Sequence, residues 1–177
     1  GKLAVALAHD LGGALEDALG YSVASAGDVN GDGRGDIVLG ATLANATSFD
    51  SGAAYVVFGK ATGGTVNVAM GAQGFIISGA SANDQLGFAV SGIGDVNGDG
   101  KADVAIGTRL SDLNGTDSGS VFVVFGKTTS TTVNLSSLGT GGYRIGGADG
   151  GDLSGYSIAA AGDVNGDGLS DLILGAP

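Results

Sequence analysis

The string Asp-Val-Asn-Gly-Asp-Gly occurs three times in this chain, starting at Asp28, Asp95 and Asp163, and each copy is closed by an aspartate at its ninth position: Asp36, Asp103 and Asp171. In Asp28-Val29-Asn30-Gly31-Asp32-Gly33-Arg34-Gly35-Asp36, side-chain oxygens fall at positions 1, 3, 5 and 9, and Gly31, Gly33 and Gly35 allow a sharp curl. The second copy repeats the pattern with Asn97 and Asp99, the third with Asn165 and Asp167. A backbone carbonyl at position 7 would complete the set, a role that demands no particular side chain; that position holds Arg34, Lys101 and Leu169. With water, six or seven oxygen ligands result, which suits calcium better than the smaller magnesium. The expectation is three calcium sites, one per loop.

Two other readings of the loop are weaker. Asn-Gly and Asp-Gly are ordinary hairpin-turn residues, but a turn does not need four carboxylate or amide oxygens at fixed offsets in every copy. That many acids packed together without a cation would also repel one another. An EF-hand shares the glycine at position 6, here Gly33, Gly100 and Gly168, but it requires a bidentate glutamate at position 12. Those positions are Leu39, Ile106 and Leu174, and the flanks read as strands.

Composition bounds the class of protein. With 177 residues, 43% of them apolar, the chain has enough material for one folded domain. Its 37 glycines sit at the ends of short apolar runs and follow no collagen-like period, an all-β signature. The net charge of −11 argues against nucleic acid as a partner, because no basic stripe is present to meet phosphates. Half of the 18 acids lie in the three loops, so three bound divalent ions would bring the charge to about −5. No cysteine is available for a disulfide or a thiolate site. The early apolar run Leu3 to Ala8 is too short for a membrane span or a signal core. Starting at Gly1 and stopping at Pro177 inside a repeat, the chain reads as a piece of something longer.

The loop starts are 67 and 68 residues apart, and aligning the copies on them exposes the strands that must carry them. A short alternating segment precedes each loop: Gly20 to Ser25, Gly87 to Ser91 and Gly155 to Ala159. An apolar run follows: Ile37 to Ala41, Val104 to Thr108 and Leu172 to Pro177. A third strand is expected over Ala54 to Lys60 and Val121 to Lys127, and a fourth over Phe75 to Ser78 and Tyr143 to Ile145. Four short antiparallel strands per unit is the content of a propeller blade, and nearly continuous apolar second and third strands suit burial on both faces. The division expected is a last strand of a preceding blade with its connection over 1–19, repeats over 20–86 and 87–154, and a truncated repeat over 155–177. About two and a half blades cannot close a ring of at least four. The remaining blades are expected from missing sequence or other chains, and open edge strands would otherwise invite pairing.

These units resemble the FG-GAP repeat of integrin α-subunit β-propellers and of many bacterial surface proteins. The Phe/Tyr-Gly element is echoed in reverse order by Gly20-Tyr21, Gly87-Phe88 and Gly155-Tyr156. Gly-Ala-Pro stands intact at Gly175-Ala176-Pro177 and is degenerate at Gly40-Ala41-Thr42 and Gly107-Thr108-Arg109. The hairpin pattern Asp-x-Asn-x-Asp-Gly-x-x-Asp matches in all three copies. The resemblance implies a propeller, usually of seven blades, with calcium in the hairpin joining the first two strands of a blade. It also implies an extracellular or cell-surface setting, and protein or glycan ligands bound on the opposite face.

The remaining signals are minor. Arg34-Gly35-Asp36 spells a cell-attachment tripeptide, but Asp36 is already assigned to the metal loop, and the other copies read Lys101-Ala102-Asp103 and Leu169-Ser170-Asp171. Asp17, Asp84 and Asp152 each lie 11 residues before a loop and are expected to accept backbone hydrogen bonds in a turn. His9 is the single histidine, and no nucleophile–base pair or carboxylate dyad stands apart from the loops, so no catalytic residue and no enzyme activity is assigned. The polar connections Thr42 to Ser51 and Thr108 to Ser118 lie on the face opposite the hairpins, where recognition usually resides. The function expected is a calcium-stabilised extracellular module for adhesion or protein–protein interaction. The alternatives are a lectin-like propeller, for which aromatic platforms are scarce, and a non-catalytic propeller domain of a larger secreted enzyme.

Overall fold

β-Branched and aromatic residues bounded by glycine become short strands in each repeat. The computed structural model describes residues 17–62 and 71–177; the strand expected over Leu3 to Ala8, and His9, lie outside the described residues. The strands are β1 (Leu19–Gly27), β2 (Asp36–Ala41), β3 (Ala53–Val57), β4 (Gly74–Ser78), β5 (Val90–Gly94), β6 (Asp103–Thr108), β7 (Ser120–Val124), β8 (Val133–Asn134), β9 (Gly142–Gly146), β10 (Ser157–Gly162) and β11 (Asp171–Gly175). They form sheets in the orders β1-β2-β3-β4-β8, β5-β6-β7-β9 and β10-β11. Each blade is an antiparallel meander, so the described chain holds two four-stranded blades and the first two strands of a third. This is an all-β architecture of incomplete propeller type.

The second and third strands carry the packing. β3, β6 and β7 are buried at every residue, as their unbroken apolar runs require. Between the first two blades, Val38, Val56, Phe75 and Ile77 meet Val90, Val104, Ile106 and Phe122 in one cluster. Between the second blade and β10–β11, Ile93, Ala105, Val121 and Val123 pack with Ile158, Leu172 and Leu174. Burying a side chain such as Phe75 or Ile106 stabilises the fold by about 1.5–3 kcal/mol. The blades therefore hold one another through their faces.

The third strands stop at Val57 and Val124, short of the expected Lys60 and Lys127, and two further details depart from expectation. The first strands of the second and third repeats begin later than expected, at Val90 and Ser157 instead of Gly87 and Gly155. Gly87 and Gly155 have φ of +94° and +88°, and they serve as inter-blade contacts. A Cβ on Gly40 would lie 2.0 Å from the Gly87 carbonyl oxygen, and one on Gly107 would lie 2.3 Å from that of Gly155. The second of these details is β8. It leaves its own blade to pair in parallel with β4 of the blade before, Ile77 opposite Val133 and Ser78 opposite Asn134. The outer edge of the first blade is thus covered by the next repeat, where an open edge was expected.

All three first strands end alike. A register shift separates Ser25 from Gly27, Gly92 from Gly94 and Ala160 from Gly162, so each strand closes on a bulge. The bulge glycines have φ of +76°, +77° and +73°, a conformation that costs other residues about 1–2 kcal/mol. Each bulge is followed at once by the first aspartate of an acidic loop.

Candidate metal centre

The acidic loops are the β1–β2, β5–β6 and β10–β11 hairpin connections, all at one end of their blades, and they adopt one conformation three times. At position 1, Asp28 Oδ2 accepts the Gly33 N–H at 2.8 Å and Oδ1 the Asp32 N–H at 3.0 Å. Asp95 does the same with Gly100 at 2.8 Å and Asp99 at 3.2 Å, and Asp163 with Gly168 at 2.9 Å and Asp167 at 3.1 Å. At position 3, Asn30, Asn97 and Asn165 accept the N–H of the position-5 residue at 2.9, 2.9 and 2.8 Å. At position 5, Asp32, Asp99 and Asp167 each accept the N–H of position 7 at 2.9 Å. The position-7 side chains of Arg34 and Lys101 reach back to Asp32 and Asp99 at 3.1 and 3.5 Å, whereas Leu169 cannot.

The ninth-position aspartates open the second strands and sit deepest. Asp36 is 1% and Asp103 0% exposed. Asp36 accepts the Val29 N–H at 2.8 Å and the Gly59 N–H at 2.7 Å; Asp103 accepts those of Val96 at 2.9 Å and Gly126 at 2.8 Å. Asp171 accepts the Val164 N–H at 2.8 Å. Gly59 and Gly126 are site residues that sequence reasoning took only for strand ends. Their recurrence 23 residues after the ninth-position aspartate was the available signal.

Electrostatics set the loop acids against one another. Burial pushes the Asp36 carboxyl above the ordinary carboxylate range, and the charges of Asp32 and Asp28 push the same way against the N–H groups of Gly59 and Val29. Asp103 is raised likewise, by burial and then by Asp99 and Asp95, against Gly126 and Val96. Asp95 moves the other way: slight burial is outweighed by the N–H groups of Gly100, Gly98, Asp99 and Asn97, which hold it low.

These residues fit a hard cation in their chemistry. The donors are carboxylate, amide and carbonyl oxygens only, the set that a hard cation takes. Asp36 and Asp103 are buried beside two like charges, and among the described residues no Lys or Arg pairs with either. Among the described residues, however, no three acidic, imidazole or thiolate side chains are already gathered as a metal would gather them. The carboxylates of positions 1 and 5 are turned onto loop N–H groups, so a cation would have to draw them off.

Neighbouring loops touch. The Ala102 N–H of the second loop donates to the Asp28 carbonyl of the first at 2.9 Å, and the Ser170 N–H of the third donates to the Asp95 carbonyl of the second at 3.0 Å. A Cβ on Gly31 would lie 3.7 Å from Lys101 Cγ, and one on Gly98 would lie 3.3 Å from Leu169 Cδ2. Gly31 and Gly33 curl the loop at φ of +74° and +83°; Gly35 takes no left-handed conformation, and Ala102 and Ser170 replace it in the other copies.

Other sequence signals also find places. Asp152 Oδ2 accepts the N–H groups of Ala148 and Asp149, both at 2.9 Å, in the expected turn. Asp84 is 5% exposed and takes hydrogen bonds from Ser81. The Arg34-Gly35-Asp36 tripeptide presents no free carboxylate, since Asp36 is buried and bonded to backbone. At the opposite ends of the first strands, Tyr21, Phe88 and Tyr156 form a row, with ring centroids 5.3 and 5.2 Å apart and the Arg109 guanidinium 4.5 Å from the Phe88 centroid. The connections Thr42 to Ser51 and Thr108 to Ser118 share one fold, with Asn45 and Asp112 accepting the Asp50 and Asp117 N–H groups.

Four-stranded blades with an oxygen-rich hairpin between their first two strands define a repeat protein of β-propeller type. The family model described as FG-GAP repeat matches residues 19–57, 86–124 and 154–177, more than half of the chain. The chain is 32% identical over 164 residues to integrin alpha-PS5 of Drosophila melanogaster, covering 92% of this chain and 15% of that protein. It is 31% identical over 161 residues to integrin alpha-IIb of Homo sapiens, covering 89% of this chain and 14% of that protein. The chain thus spans about one seventh of the length of these relatives. It belongs to the FG-GAP repeat family, and its repeats are integrin-α-like.

Proposed function

We propose that this chain is a calcium-stabilised module of an extracellular adhesion or protein-interaction propeller, in which calcium is structural. The observation that carries the reading is the threefold recurrence of one acidic loop, with shared hydrogen bonds at positions 1, 3 and 5 and the position-2 N–H on the ninth-position aspartate each time. Asp28, Asn30, Asp32, Asp36 and the Arg34 carbonyl would hold the first ion. Asp95, Asn97, Asp99, Asp103 and the Lys101 carbonyl would hold the second, and Asp163, Asn165, Asp167, Asp171 and the Leu169 carbonyl the third. Each ion would neutralise crowded carboxylates and tie the two ends of a hairpin together.

Protein or glycan ligands fall to the opposite end of the blades, with the connections Thr42 to Ser51 and Thr108 to Ser118. Membership of the FG-GAP family and likeness to integrin alpha chains support the adhesive, cell-surface part of this reading. Among the described residues no helix is long and apolar enough to cross a membrane. At free calcium about tenfold above the dissociation constant, each site contributes roughly 1.4 kcal/mol, and three sites about 4 kcal/mol, a large share of ordinary domain stability. The test is a thermal melt in calcium and in excess chelator. The reading expects a clearly lower melting temperature in chelator, and an unchanged melt would contradict it.

A further inference from the structure

The hydrogen bonds between neighbouring loops run through the peptide groups that matter most for cation binding. The Lys101–Ala102 peptide carries the position-7 carbonyl of the second loop on one side and the Ala102 N–H on the other. That N–H donates to the carbonyl of Asp28, the first residue of the preceding loop, at 2.9 Å. The Leu169–Ser170 peptide stands in the same relation to Asp95, at 3.0 Å. Packing leaves little slack around Ala102. A Cβ on Gly126 would lie 2.5 Å from the Ala102 carbonyl oxygen and 2.8 Å from that of Val29, and Gly126 itself donates to Asp103.

From this geometry we infer that the three loops bind divalent cations cooperatively, each loop favouring occupancy of its neighbour. The inference rests on the calcium reading above and goes beyond it. A cation on the Lys101 carbonyl polarises that peptide and makes the Ala102 N–H a stronger donor, because hydrogen-bonded groups in series reinforce one another. The stronger bond holds Asp28 at the start of the first loop, where its carboxylate must leave the Asp32 and Gly33 N–H groups to reach a cation. Linkage makes the effect reciprocal, so a filled first loop favours the second. The second loop is the middle link: its Ala102 N–H reaches back to the first loop, and its Asp95 carbonyl receives the third.

The test is calorimetric titration of the whole chain with calcium alone, on the natural sequence, on Asp99→Ala and on Ala102→Pro. Asp99 is exposed, so its removal silences the middle loop without touching the core. The inference expects three ions bound with a Hill coefficient above one in the natural chain. In Asp99→Ala it expects two ions bound without cooperativity, and about fivefold more weakly, the lower end of usual coupling. Ala102→Pro, which deletes the bridging N–H, keeps three ions and loses the coupling between the first two loops; should it not fold, Asp99→Ala decides alone. Three independent sites in the natural chain, with two of unchanged affinity left in Asp99→Ala, would overturn the coupling while leaving the calcium reading intact. No calcium bound to the natural chain would overturn both.

Discussion

The N–H of Ala102 donates to the carbonyl of Asp28 at 2.9 Å, and directly behind that bond Gly27 faces Ala102. A Cβ on Gly27 would lie 2.6 Å from the Ala102 Cβ, and one on Gly94 would lie 2.3 Å from Ser170 Oγ. The third bulge glycine, Gly162, has the same backbone conformation but nothing within 4 Å. The repeat thus supplies its own control. Gly162→Ala is expected to cost about 1–2 kcal/mol from conformation alone. Gly27→Ala and Gly94→Ala should cost a further 1–3 kcal/mol or so from overpacking against the next blade. Urea unfolding measures all three, and equal losses would contradict the packing account.

The ninth-position aspartates differ in how much backbone they satisfy. Asp103 is fully buried and accepts two N–H groups, from Val96 and Gly126. Asp103→Ala in chelator should therefore cost about 2–4 kcal/mol, since each orphaned buried donor is expensive. Asp171 is half-buried and accepts the N–H of Val164. Asp171→Ala is expected to lose about 1 kcal/mol in the same chemical denaturation. A larger loss at Asp171 than at Asp103 would show that the hydrogen bonds do not set the cost.

Asp84 supplies a pH signature away from the loops. Burial raises its pKa; Asp112 adds to the rise, while Arg144 and the Ser81 hydrogen bonds oppose it. A raised folded pKa means that the folded state holds a proton the unfolded chain has lost. Asp84 therefore contributes stability that is complete below the unfolded value of 3.8 and is lost as pH climbs through the folded value. Asp84→Asn stays neutral throughout. The stability of the variant minus that of the natural chain should rise across this window and level off above it. A difference that does not change with pH would refute the assignment.

Much of this structure was legible in the sequence because the repeat states it three times. The loop aspartates, the four strands of a blade and the burial of β3, β6 and β7 all follow from side-chain type and period. What escaped is made mostly of backbone. Position 8 of the loop is Gly35, Ala102 and Ser170, with no shared side chain, yet its N–H joins neighbouring loops in both cases described. β8 is two residues long, and its pairing is set by the edge of β4, not by any pattern in Val133-Asn134. Gly59 and Gly126 serve the site through their N–H groups, which every residue but proline carries. Where β5 and β10 were expected to begin, Gly87 and Gly155 instead meet Gly40 and Gly107 of the preceding blade, and Ser22 Oγ donates to the Gly87 carbonyl, contacts that no local pattern displays.

Direct calcium counting tests the central claim most plainly. Equilibrium dialysis of the chain against millimolar calcium should find about three ions per molecule, the number of acidic loops, with magnesium held more weakly. Substitution of Asp28, Asp95 or Asp163 by alanine should each remove one ion. No bound calcium, or three ions still bound after these substitutions, would contradict the account.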